Sequence, residues 1–333
     1  MTRFRMCWTP VNSFHGIRAD AVLATRRIAS IAPLTKGRCV MQKQGYWGYI
    51  FTLPFVINVV VFLLFPIIFS TYISFTEWDL FNPPRWIGLD NWVRVLNKHE
   101  FWVSIRNVFV FALIFVPIQT IMAFVIAFML NQAIRAKGLF RLFYFLPVVT
   151  PWIAGGVVWV WMFNYQYGVI NWVLESVGLA PVKWIDSSHW LMVISSIAIV
   201  QVWKGVGQSM IMILAGMQNV PKEVLEASQI DGANGWKQLT KVVFPMVTPM
   251  VYLVMILSTI SAFQAFDVFL GLFGSITTGI PERNMVPNLL VYRDAFLLFK
   301  MGPASATAWL LFVIILSFTL FQKYFEKKWV HYD

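Results

Sequence analysis

The residues able to make or break bonds in this chain are few and scattered. His15, His99, His189 and His331 lie far apart in the sequence, and no nucleophile–base pair or metal-ligand spacing emerges among them. Cys7 and Cys39 show no zinc spacing, and there is no Gly-x-x-x-x-Gly-Lys-Ser/Thr loop to cradle nucleotide phosphates. Recognition chemistry in an apolar setting is what remains. One apolar run, Trp190 to Gly216, is broken midway by Gln201, Trp203, Lys204, Gly205, Gly207, Gln208 and Ser209. Polar groups at such a depth are costly, and by default they mark a pathway. Gly205 and Gly207 are expected to loosen the helix there and free carbonyls that need protein or water partners. The competing reading is that these groups bond to neighbouring helices and only hold a bundle together.

The elements that position such groups follow from composition. Hydrophobic residues make up 59% of the 333 and charged ones 12%, where a soluble domain carries roughly 25% charged residues. Too few charges remain to cover a water-soluble surface, and the apolar residues gather into runs long enough to cross a bilayer as helices. Six runs stand out: Trp47 to Phe69, Asn107 to Leu130, Leu142 to Asn164, Trp190 to Gly216, Val242 to Phe266 and Pro303 to Gln322. Lys204 is the one charge within them. Nothing shows the alternating pattern of a barrel. The expected fold is therefore an all-α integral membrane protein, a polytopic bundle of about six transmembrane helices. Tyr46, Trp47, Trp159, Trp161, Trp190 and Trp309 are read as interfacial rings near the span ends. Pro54, Pro117 and Pro249 fall inside spans, where they are expected to kink their helices.

An even number of spans puts both ends of the chain on one side. Lys43, Arg135, Lys137, Arg141, Lys222, Lys237, Lys241, Lys323, Lys327 and Lys328 fall in short segments on that side. The basic residues of the other side are spread over longer loops among acids, so both termini are expected in the cytoplasm. This accounts for the net charge of +11 without nucleic acid, since no clustered basic and aromatic surface is present. Cys7 and Cys39 precede the first span on the reducing side, where a disulfide is not expected. Residues 1–44 form a basic tail lacking the apolar core of a secretory signal. It reads either as a membrane-surface segment or as a mis-called start with translation beginning at Met41, and as disordered in both cases. Residues 45–325 are then one transmembrane domain with a loop at 217–245, and 326–333 a cytoplasmic tail.

That loop carries its own helix signals. Asn219 is a fair N-cap, Pro221 suits a first turn, and Glu223 and Glu226 sit near the positive end of the helix dipole. Gly232 supplies the backbone freedom for a sharp turn, and a second amphipathic stretch, Ala233 to Lys241, leads to Pro245. Val224, Leu225, Ala227 and Ile230 form an apolar face, suited to docking on a partner.

The spacing is specific. Glu226-Ala227-Ser228, three residues, Gly232, nine residues, then Val242-Val243-Phe244-Pro245 resembles the EAA loop of binding-protein-dependent ATP-binding-cassette importer permeases. Ser228 replaces the second alanine of that pattern, and Phe244 the leucine before proline. Further matches are Tyr72-Ile73-Ser74-Phe75, Gly88-Leu89-Asp90-Asn91-Trp92, Arg141 with Leu146-Pro147, Trp203 with Gly205, Asp231-Gly232-Ala233 and Phe266-Asp267. Together they resemble the carbohydrate branch, and within it the larger membrane subunit type of the maltose transporter. The family's Gly-Gly-Pro turn appears here as Gly279-Ile280-Pro281.

The resemblance implies a permease of the bacterial cytoplasmic membrane that forms a path for a sugar-like solute. A second homologous permease subunit, a cytoplasmic ATPase dimer and an extracytoplasmic solute-binding protein are its implied partners, in the lipid bilayer. No cofactor is implied for this chain, and ATP and Mg are used by the ATPase. Glu226, Ala227, Ser228, Asp231 and Gly232 would couple to that ATPase as a cytoplasmic coupling helix. Trp203, Lys204, Gly205, Gln208, Ser261 and Gln264 would line the solute path, with Trp203 or Phe263 as aromatic platform. A secondary transporter would instead require inverted repeats and paired intramembrane acids, and neither is seen; a scaffold without a pathway would need no polar break in the fourth span. Asp267 is read as a solvated charge or an inter-helix tie. The Lys204 ammonium needs a partner: a backbone carbonyl, a group on the second subunit, or an acidic solute.

Overall fold

The computed structural model describes residues 47–132, 135–274, 280–327 and 330. The basic tail, Cys7, Cys39, His15, Lys43, Tyr46, Gly279, Lys328 and His331 lie outside the described residues, as does the side chain of Trp47.

The chain divides into two compact units, Met1–Val60 and Val61–Asp333. Of the first, helix α1 (Trp47–Asn58) is described; it is apolar throughout and carries Pro54. A π-helical stretch, Val59–Leu64, leads into α2 (Phe65–Ser74), and Gly48–Ser74 is long and apolar enough to cross a membrane.

The larger unit continues with a short antiparallel hairpin, β1 (Thr76–Glu77) and β2 (Arg85–Trp86). Helices α3 (Asp90–Asn97) and α4 (His99–Asn131) follow. Next come α5 (Lys137–Val149), α6 (Trp152–Met162), α7 (Val169–Ser176) and α8 (Trp190–Gln218). The rest comprises α9 (Lys222–Ile230), α10 (Gly235–Gln238), α11 (Phe244–Phe263), α12 (Asp267–Phe273), α13 (Pro287–Tyr292) and α14 (Met301–Glu326).

Among the described residues, five helical runs qualify as membrane spans: Gly48–Ser74, His99–Asn131, Trp190–Gln218, Gly235–Phe263 and Met301–Glu326. The third expected run is different. It is split into α5 and α6, which meet at an angle of 101°. Thr150 is extended and followed by Pro151, which fixes the exit direction of the chain.

The packing of α4 on α8 shows that this bent pair carries the chain from one end of the bundle to the other. Arg106 lies 4.2 Å over the Trp190 ring, and Gln119 Nε2 donates to Ser209 Oγ at 2.9 Å. Both helices therefore run in the same direction, so the chain must return between them. Helix α11 runs opposite to α4, since Phe124 packs on Phe244 and Phe109 on Phe263. Hairpin α9–α10 thus sits at the end of the bundle where α4 and α8 finish.

The core follows from these directions. Phe111, Phe115, Ile194, Ile197, Met210, Phe263 and Phe269 are all fully buried. At the end opposite α9, Asn91 Nδ2 donates to the Ser74 and Thr76 carbonyls at 3.0 and 2.8 Å. Asn107 Nδ2 donates to those of Arg283 and Met285 at 2.7 and 2.8 Å, which ties α4 to the connection before α14. Backbone acceptors in these irregular segments are thereby satisfied.

Two expectations are corrected. Trp159 is not an interfacial ring: it is buried and packed against Phe163 and Trp203. Gly205 and Gly207 do not loosen α8, which runs unbroken from Trp190 to Gln218. They admit neighbours instead. A Cβ on Gly205 would lie 2.7 Å from Gln119 Nε2, and one on Gly207 would collide with the Tyr144 carbonyl of α5. Small residues serve close helix approach, in keeping with membrane bundles where packing drives association.

Candidate functional site

A chamber of about 290 Å³ opens between α6, α8 and the junction of α11 with α12, lined by Trp152, Gln201, Ser261, Gln264, Phe266 and Asp267 among others. The junction places three of them. α11 ends at Phe263, Phe266 takes a non-helical conformation, and α12 starts at Asp267, whose carboxylate favours the positive end of a helix. Ser261, Gln264 and Asp267 are all exposed, a polar face within an otherwise apolar protein. Opposite them Gln201 is 7% exposed, and its Nε2 donates to Ser261 Oγ at 3.2 Å. Its Oε1 is buried with no hydrogen-bond partner among the described residues. A buried amide oxygen without a donor carries a penalty of about 1–3 kcal/mol.

Ser261 and Gln264 are thus brought together as expected, and the others are not. Trp203 faces a separate apolar cavity of about 640 Å³ between α4, α5 and α8, with Ile114, Met122, Phe143 and Val206. Gly205 packs on Gln119, and Gln208 is exposed without lining the chamber. Phe263 is buried at an edge-to-face contact with Phe109 and closed off by Phe318, so neither ring named as a platform reaches the chamber. The rings that do are Trp152 and Phe266. Trp152 was hidden in an apolar run, and only the bend after Pro151 turns it to this place.

Lys204 resolves into the first of its three options. Its ammonium donates to the carbonyls of Pro147 at 3.0 Å, Val148 at 3.3 Å and Thr150, and lies 4.8 Å from the centre of the Trp152 ring. These are acceptors at the end of α5, where a cation is a favoured cap; the Pro147 carbonyl also accepts from the Thr150 amide at 3.2 Å.

The second candidate site is the hairpin α9–α10. Asn219 closes α8 and does not cap α9, whose N-cap position is Pro221. Gly232 takes φ +77°, so the chain reverses there as expected, and Asn234 caps α10 by accepting from the Lys237 amide at 2.9 Å. Gln238 Nε2 donates to Ser228 Oγ at 2.8 Å and to the Leu225 carbonyl at 2.9 Å, clasping α10 to α9. Ser228 is buried in that clasp, whereas Glu226, Ala227 and Asp231 are exposed. Ile230 and Trp236 are also exposed, at 87% and 72%, which leaves apolar side chains on the hairpin uncovered. No group of three or more metal-ligating side chains occurs among the described residues.

Comparison with known proteins agrees with this geometry. Residues 119–331 match the family of binding-protein-dependent transport system inner membrane components. The probable ABC transporter permease protein YesP of Bacillus subtilis is 33% identical, over 90% of this chain and 96% of its own length. The trehalose/maltose transport system permease protein MalF of Thermococcus litoralis is 32% identical, over 84% and 92%. A chain of the solved bacterial alginate ABC transporter, in complex with an alginate pentasaccharide-bound periplasmic protein, shares the fold. Its TM-score is 0.72 at 19% identity, over 85% of this chain and 94% of that one. The run of apolar spans is therefore that of a polytopic membrane transport protein, and the chain belongs to the family of binding-protein-dependent transport system inner membrane components.

Proposed function

We propose that this subunit forms, with a second homologous permease subunit, the path for a sugar or sugar-like solute. An extracytoplasmic binding protein delivers the solute and a cytoplasmic ATPase dimer drives its passage. The observation that carries this reading is the chamber at Gln201, Ser261, Gln264 and Asp267, where hydrogen-bonding groups and an unpaired amide oxygen converge beside an aromatic ring. Sugar sites combine such groups with a ring face. Relatives named for trehalose/maltose, sn-glycerol-3-phosphate and lactose transport support a cargo of this class.

The open side of the chamber favours a second subunit. The α9–α10 hairpin with Ile230 and Trp236 is the ATPase contact, so Glu226, Ala227, Ser228, Asp231 and Gly232 act in coupling. ATP and Mg belong to the ATPase, and this chain binds neither. The basic residues at the hairpin end favour a cytoplasmic position for it and for both termini. Residues 45–325 make up the permease domain. The cargo is a neutral glycan in preference to an acidic one, because Lys204 spends its ammonium on three carbonyls.

The test is uptake by the reconstituted importer, with the glycan that co-purifies with its binding protein. Gln201→Leu removes the unpaired oxygen and the donor to Ser261, and uptake is expected to fall at least about tenfold while ATPase assembly persists. Unchanged uptake would remove the chamber from the path. Accumulation driven by an ion gradient without ATP would favour a secondary transporter.

A further inference from the structure

A cation, Lys204, sits at the apex of the bend between α5 and α6. A helix that ends inside a membrane leaves carbonyls that no water can satisfy, each costing several kcal/mol unless protein supplies a donor. Here α5 ends at Val149; the Thr150 amide donates to the Pro147 carbonyl at 3.2 Å, and Pro151 has no N–H to offer the Val148 and Thr150 carbonyls. Lys204, reaching across from α8, donates to Pro147, Val148 and Thr150. The same ammonium lies 4.8 Å from the ring centre of Trp152, the first residue of α6. Trp152 in turn lines the chamber.

We propose that Lys204 is a positioning residue: it fixes the angle of the broken α5–α6 span and so holds the Trp152 ring as the aromatic wall of the chamber, against which a sugar ring of the cargo stacks. The stacking half rests on the chamber being the solute path; the pinning half does not. An ammonium suits this task because three donors on one nitrogen can serve three carbonyls at once while a ring face accepts its charge. A neutral side chain of equal length leaves the Val148 and Thr150 carbonyls without that donor, and the bend relaxes toward other angles.

The experiment uses the full importer complex in nanodiscs, with Cys7→Ser and Cys39→Ser and nitroxides attached at Leu142→Cys on α5 and Val157→Cys on α6, both exposed positions. Pulsed electron–electron resonance then reads the bend. One narrow distance is expected for Lys204 and for Lys204→Arg, which keeps the donors, and a distribution at least about twofold wider for Lys204→Met. Lys204→Gln, with fewer donors, is expected between them and serves if the methionine variant does not insert. The ring is followed by fluorine resonance of 5-fluorotryptophan, the Trp152 signal being the one lost in Trp152→Phe. It should shift in Lys204→Met or Lys204→Gln and return toward its place in Lys204→Arg.

An unchanged distance distribution in both neutral variants, or an arginine variant as broad as they are, overturns the pin. A Trp152 resonance that ignores Lys204 overturns the link to the chamber wall. Reaction of a Ser261→Cys thiol with a water-soluble methanethiosulfonate separately tests the chamber. An inert thiol beside a broadened bend would refute the path, and with it the stacking role, while leaving the pin standing.

Discussion

Gly156 of α6 and Gly271 of α12 approach so closely that a Cβ built on Gly156 would lie 2.8 Å from the Gly271 Cα. The three nearest atoms are all Gly271 backbone, so no side-chain rotation can make room. The contact sets the separation of the two short helices that flank the chamber, α6 through Trp152 and α12 through Asp267.

Gly156→Ala must therefore push α12 away from α6. Overpacking of this kind costs about 1–3 kcal/mol, and here the displaced element carries chamber residues. Thermal stability in detergent should fall, and uptake should fall more than stability explains. Gly138→Ala on α5, where nothing lies within 4 Å, is the control and should match the unmodified protein. An alanine at 156 with normal uptake would show that the chamber does not depend on this contact.

Gly232 tests the hairpin. Its φ of +77° lies in the left-handed region, which costs a residue with a Cβ roughly 1–2 kcal/mol and a β-branched one more. Nothing crowds the site, so the cost is conformational. Gly232→Val should insert normally yet lose co-purification with the ATPase, or lose stimulated hydrolysis, because the turn that brings Gln238 onto Ser228 no longer closes. Gly232→Asn should retain most coupling, asparagine being tolerant of this conformation. Full coupling in the valine variant would free the hairpin of this role.

Both outcomes bear on what a sequence discloses. The straight spans are legible because each is an unbroken apolar run, and Ser261 and Gln264 are legible because polar residues in such runs stand out. The break at Thr150–Pro151 is not, since hydropathy sums over a window and is blind to direction; Pro147 and Pro151 were the signal available. Trp152 looked like one more apolar residue, and only the bend gives it a place in the chamber. Lys204 was visible as an unpaired charge, but its partners are carbonyls more than fifty residues away. The Gly232 turn could be read locally because helix, stop and turn are consecutive. The Gln238 clasp could not, because two helices must first be docked.

Orientation gives a third prediction. The segments bearing Pro84 and Glu282 belong to the end of the bundle away from α9, and Pro84, Glu282 and Lys237 are all exposed. With the hairpin in the cytoplasm, a membrane-impermeant thiol reagent added outside should label Pro84→Cys and Glu282→Cys and spare Lys237→Cys until the membrane is opened. The reverse pattern would invert the protein and remove α9 from the reach of a cytoplasmic ATPase.

The last prediction concerns the outer clamp. Arg293 bonds both Glu100 and Asp294, and Lys98 reaches Asp294 at 3.2 Å. Asp294 is 3% exposed, and its carboxyl group is held between the two cations. Burial alone would disfavour the charge on Arg293, but Glu100 and Asp294 together hold its guanidinium above the ordinary arginine range. A cation whose folded pKa is raised contributes its full stability below the unfolded value, and loses it only as pH rises through the folded one. The arginine side of the clamp is therefore constant at neutral pH and fails only in strong alkali. Arg293→Met leaves Asp294 buried with Lys98 alone, and removal of one partner of a buried pair costs about 3 kcal/mol. Its melting temperature should drop, and much of the loss should be regained in Arg293→Met combined with Asp294→Asn, which removes the stranded charge. If the double variant is no more stable than the single one, the buried carboxylate is not what Arg293 compensates, and the guanidinium acts through Glu100 instead.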